Sequence, residues 1–129
     1  MRFRLNQIDD NKFSKQERFY DEFINSLGFT LVRKKECDNK ILKYFCTVDL
    51  GIVFQQFLVL VFINKKSIEL DDILFMRSHI NKFIDKGLII TTSKISRSAK
   101  NESRKKNNIP IDFIKKGEIQ RRLINKQKK

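Results

Sequence analysis

Between the apolar run at residues 88–90 and Pro110, the chain sets Lys94, Arg97, Lys100, Arg104, Lys105 and Lys106 among Ser93, Ser96 and Ser98. Contacts to phosphate oxygens use this mixture, because the cations supply charge and the hydroxyls supply directed bonds. Arg121 and Arg122 carry the same chemistry further along the chain. The segment from 94 to 106 has little apolar content, so its cations are not core residues. These eight side chains are the candidate nucleic-acid contacts, and a plain solvated loop is the competing reading.

Other reactive side chains are sparse. His79 is the one histidine, and it falls on a mixed face of a helical pattern, which suits a boundary residue better than a catalyst. Cys37 and Cys46 are the two cysteines; with no CxxC pair and no histidine cluster they do not make a zinc site. They read as reduced structural thiols of an intracellular chain. Asp71 and Asp72 stand at the start of a helical pattern, where the helix dipole accounts for them without a metal. Neither a catalytic residue, a metal nor a cofactor is expected.

The charge distribution agrees with a polyanionic partner. The net charge is +13, and residues 94–129 hold 13 Lys/Arg against 3 Asp/Glu, so +10 of the excess lies in this last part. A solvated face usually mixes both signs, whereas a segregated excess creates a field suited to nucleic acid. Solubility, or a lysine-rich compositional bias, is the bland alternative. The 129 residues, 40% hydrophobic with 12 phenylalanines, suffice for one domain with a real core. No apolar run approaches the roughly 20 residues of a bilayer span, and "MRFRLNQIDD" lacks an apolar leader. The expectation is a cytoplasmic or nuclear protein without a membrane partner.

The elements that must position the cations follow from periodicity. Ser14 and Glu17 fit a capping box, and Phe19, Phe23, Ile24 and Leu27 recur at helical spacing before Gly28, predicting a helix over 14–27. Strands are expected over 29–35, 41–50 and 57–63. The last of these is apolar at every position, so Val59, Leu60, Val61 and Phe62 should form a central strand covered on both faces. Leu70, Ile73, Met76, Ile80, Phe83 and Ile84 predict a second helix, with Gly87 as its stop. A strand over 88–92, a polar segment with a short helix over 93–108, a strand over 111–114 and a basic helix or tail over 117–126 complete the chain. The expected division is an N-terminal arm at 1–13, a domain at 14–114 and a basic tail at 115–129. The fold class is α/β, a central mixed sheet flanked by helices in the order α-β-β-β-α-β.

That order is the core of the restriction-endonuclease-like fold. "KGLIITTSKISRSAKNESRKKNNIPIDFIKKGEI" resembles the C-terminal half of Mrr-type endonuclease domains, and "ERFYDEFINSLGF" resembles their first helix. "LVFINKKSIELDDILFMRSHINKFIDKGLIITTSKISRSAK" is similar to the N-terminal jaw domain of the fifth common subunit of eukaryotic RNA polymerases. That subunit's separate assembly domain has no counterpart in these residues.

The nuclease resemblance implies a metal-binding Asp on one strand, with a Glu or Gln and a Lys two apart on the next. Asp49 falls where the Asp is expected, but the facing positions would be Leu60 and Phe62, and a shift to Ile63 and Lys65 restores only the lysine. The motif is not intact, so Asp49 reads as a strand-end or turn residue. The resulting expectation is a catalytically silent nucleic-acid-binding subunit, working with larger partners in an RNA polymerase or another assembly. A divergent Mrr-type nuclease and a structural protein of a ribonucleoprotein particle, such as an organellar ribosome, are the alternatives.

Overall fold

The computed structural model describes residues 16–37, 41–63 and 65–127, without the side chains of 36, 37 and 123–127. The expected arm at 1–13 and the capping residue Ser14 lie outside the described residues. Helix α1 runs through 16–26 and is followed by β1 (Thr30–Cys37), β2 (Ile41–Asp49) and β3 (Phe54–Phe62). Next come β4 (Ser67–Ile68), α2 (Leu70–His79), β5 (Lys86–Thr91) and β6 (Lys94–Ile95). Helix α3 (Arg97–Ser103), β7 (Ile111–Ile114) and α4 (Lys116–Gln127) complete the order.

The main sheet has the order β1-β2-β3-β5-β7. β1, β2 and β3 form an antiparallel meander, and α2 then carries the chain to β5, which lies parallel to β3. The α-β-β-β-α-β order expected from sequence is therefore present, and β7 extends it parallel to β5. The architecture is an α/β mixed sheet with helices on both faces.

β3 fixes the layering. Its side chains alternate between faces, and Leu58, Val59, Leu60 and Val61 are all fully buried, with Phe62 1% exposed. Val59 and Val61 join Leu42, Tyr44, Leu88 and Ile90 against Phe23 and Ile24 of α1 and Ile119 of α4. Leu58, Leu60 and Phe62 join Ile89 and Ile111 against Ile73 and Met76 of α2 and Ala99 of α3. On the α1 side, the Tyr44 hydroxyl donates to Asp21 Oδ1 at 2.7 Å, and Lys34 Nζ lies 2.9 Å from both Glu17 and Asp21. Burial and these carboxylates raise the Tyr44 pKa. Desolvation, the largest influence on Lys34, lowers its pKa, but the bonds to Asp21 and Glu17 outweigh it and the net shift is upward.

Three expectations need correction. Helix α2 ends at His79 and not near Ile84: Ile80 is extended, and the Asn81 side chain accepts from Phe83 N at 2.8 Å, an Asx turn that competes with further helix. Phe83, counted among the core periodicity, is consequently 62% exposed. Gly87 is not a helix stop but a residue of β5, and a Cβ there would meet Met76 Cε at 2.9 Å and Ile111 Cγ1 at 3.0 Å. Gly28, by contrast, has φ +94 after α1 and serves as the left-handed cap expected of it.

Overpacking that contact gives the first test. Gly87→Val should lower stability by about 1–3 kcal/mol, measured by urea denaturation. Combined with Met76→Ala, the loss should be smaller than the sum of the two single losses, because the two sites share one volume.

Candidate nucleic-acid interface

The cationic segment leaves β5 through a tight polar turn. Thr91 is fully buried, and its Oγ1 accepts from Ser93 N at 3.1 Å. Ser93 Oγ donates to the Lys65 carbonyl, and β6 then pairs in parallel with β4. Ser96 is the N-cap of α3, accepting from Ala99 N at 3.1 Å. Of the serines expected to face phosphate, Ser93 and Ser96 are thus engaged first in shaping the turn and capping the helix, while Ser98 is exposed beside Ser96.

Helix α3 sorts its residues by face. Ala99 and Ser103, four apart, are buried against the sheet. Arg97, Lys100 and Arg104 recur at three and four residues along the other side, with Arg97 and Arg104 exposed and Lys100 half-buried. Lys94 on β6, Lys105 and Lys106 after α3, and Arg121 and Arg122 on α4 are all exposed. Among the described residues none of these eight cations takes part in an ion pair.

Arg77 of α2 positions this array. Its guanidinium donates to the Glu102 carbonyl at 2.6 Å and to the Ile109 carbonyl at 3.0 Å, tying α2 to α3 and to the approach to β7. Arg77 Nε lies 3.3 Å from Glu102 Oε1 without hydrogen-bonding geometry, so the carboxylate supplies charge while the carbonyls supply the bonds. Sequence reading missed this residue: Glu102 is 25 positions away, and nothing local marks the pair.

The geometry separates the residues compared with a nuclease centre. Asp49 is exposed at the end of β2, pairs with Phe54 in the ladder, and accepts from Gly51 N at 2.8 Å. It is the strand-end turn residue expected. Leu60 and Phe62 do not face it; their partners are Lys43 and Ile41. Leu60 is six residues along β3 from the partner of Asp49, roughly 20 Å at strand spacing. Asp72 bonds Glu69 N at 2.8 Å and pairs with Lys65 at 3.0 Å, which makes it a capping and ion-pair residue. Among the described residues no group of three or more His, Cys, Asp or Glu is placed to hold a metal.

Cys46 is free and buried, and burial pushes its thiol up to about 12. The Cys37 side chain lies outside the described residues, but its backbone pairs with Ile41, five residues from Cys46 along β2. That separation, roughly 17 Å, is too long for a disulfide. His79 is half-buried beside Phe75; burial, then the charges of Lys43 and Lys35, hold its imidazole below the ordinary value.

No protein-family model matches this sequence. No curated protein matches it either. Among solved structures, the chain is similar to MspJI restriction endonuclease in complex with a 27-mer oligonucleotide, at 14% identity and a TM-score of 0.47. The match covers 84% of this chain and 29% of that one, so the chain spans under a third of the endonuclease's length. No helix among the described residues is long and apolar enough to cross a membrane.

Removing the guanidinium should show how far the array depends on it. Arg77→Ala is expected to destabilise the fold by about 3–5 kcal/mol, since it leaves the enclosed Glu102 carboxylate without its charge partner. Arg77→Lys should restore only part of this, because an ammonium cannot span both carbonyls as the planar fork does. Thermal unfolding of the three proteins measures the difference.

Proposed function

We propose that the chain is a nucleic-acid-binding module that holds the phosphate backbone through β6, α3 and the loop after it, without cleaving it. The observation that carries this reading is the set of cations on the outward side of α3, which among the described residues take part in no ion pair, above Ala99 and Ser103, which are buried. Such an array fixes position on a backbone and reads no base edges. DNA is the favoured ligand. The finer reading is a small subunit of a DNA-directed RNA polymerase, working beside larger partners. It rests on the resemblance of residues 60–100 to the polymerase jaw domain.

Affinity should fall steeply with salt and depend little on base sequence, because released counterions drive binding. Replacing Lys94, Arg97, Lys100 and Arg104 together by Ala should flatten the log–log salt slope by up to about 4 units. Folding should survive, since exposed charges matter by only about 0.5 kcal/mol each. An unchanged slope would overturn the reading. If the variant instead lost a protein partner from the assembly, these cations would face an acidic protein surface.

Supercoiled plasmid incubated with the protein and Mg²⁺ or Mn²⁺ should remain intact. Metal-dependent nicking abolished by Asp49→Ala would favour the divergent-nuclease alternative.

A further inference from the structure

On the sheet face covered by α2 and α3, a lysine stands in β2 between the apolar Ile41 and Phe45. Lys43 stands opposite Leu60 at an inward position and is only 9% exposed. Its Nζ lies 3.1 Å from His79 Nδ1 and 5.5 Å from the centre of the Phe45 ring. Among the described residues no carboxylate pairs with it. Across the ladder its partner on β1 is Lys35, and Arg33, two residues before Lys35, holds its guanidinium 4.5 Å above the Phe45 ring.

Four basic groups from three elements therefore gather at one corner of the sheet, at the β1 edge. The arrangement is unfavourable as it stands. Like charges opposed across a ladder destabilise it, and among the described residues the ammonium enclosed beside a neutral imidazole has no counter-charge. A fold that retains such a cluster is relieved when an anion enters it. The imidazole that accepts from Lys43 at Nδ1 carries its own proton on Nε2, so it remains a donor. A guanidinium, two ammoniums and a ring N–H offer more donors than the two oxygens of a carboxylate can use, and they suit a tetrahedral oxyanion.

We propose that Arg33, Lys35, Lys43 and His79 form a binding site for a phosphate group, carried by a free phosphate compound or by a nucleic-acid backbone. None of these residues belongs to the α3 array, so the site stands or falls independently of that reading.

The single histidine makes the test direct. Inorganic phosphate is titrated into the full chain at constant ionic strength, and the imidazole resonances of His79 are followed by NMR with chloride as control. Among the described residues the charged groups facing the ring are Lys43 from β2 and Lys35 from β1. Phosphate should move the resonances saturably and raise the pKa of His79, since a bound anion favours the imidazolium. Lys43→Gln and Lys35→Gln should each abolish the saturable response, while the quadruple α3 variant should keep it.

A duplex oligonucleotide that displaces phosphate assigns the site to a nucleic-acid backbone. Saturation by phosphate without displacement by a bound duplex assigns it to a free phosphate compound. Lys43→Met provides a second measurement that does not depend on the ring: phosphate should raise the unfolding temperature of the natural protein and leave that of the variant unchanged. Equal, non-saturating shifts with phosphate and chloride, or responses unaltered in the Lys43 and Lys35 variants, would overturn the proposal.

Discussion

Residues 58 to 62 are apolar at five consecutive positions, and a strand that turns alternate side chains to opposite faces cannot hide them beneath one helical layer. β3 must be central, with helices above and below it. The remaining topology meets that demand. β2 flanks one side through a hairpin, and α2 crosses over one face so that β5 can flank the other side in parallel. Each buried Leu, Val or Phe contributes about 1.5–3 kcal/mol, so a charge placed at Leu60 or Phe62 would oppose the term that holds the layers together.

The parts of this architecture that were legible in the sequence are those written in local pattern. The apolar runs, the turn at Gly28 and the short helix after Ile95 all follow from spacing within about ten residues. The failures come from contacts that no local window contains. The helical period continues beyond His79 to Ile84, which is indeed buried, but it reaches the core through a turn built on Asn81. Gly87 follows a helical pattern as a cap would, yet its lack of a side chain answers to Met76 and Ile111, which close over it from α2 and β7.

The same distinction applies to the basic side chains. Those after β5 were visible because they cluster in sequence. The Lys43–His79 pair joins residues 36 positions apart, and only the placement of a lysine within "ILKYFC" hinted at it. Parity in β2 puts Lys43 on the face of Ile41 and Phe45, so its inward direction could have been read once the strand was assigned. Its partner could not, because the pairing depends on where α2 ends.

Glu102 shows how packing shapes the outer field. It is the one carboxylate between Ser93 and Ile111, a stretch that carries six lysines and arginines. An acid on the outward side of α3 would offset its neighbours within a few ångströms, well inside the screening length of about 8–10 Å. Its side chain is instead turned toward Arg77 and is 16% exposed. One ion pair thus has two effects: it fastens α3 to α2, and it withdraws the segment's only negative charge from the surface where the cations lie. The positive field over α3 is therefore a consequence of how the helix is anchored as well as of how many cations it carries.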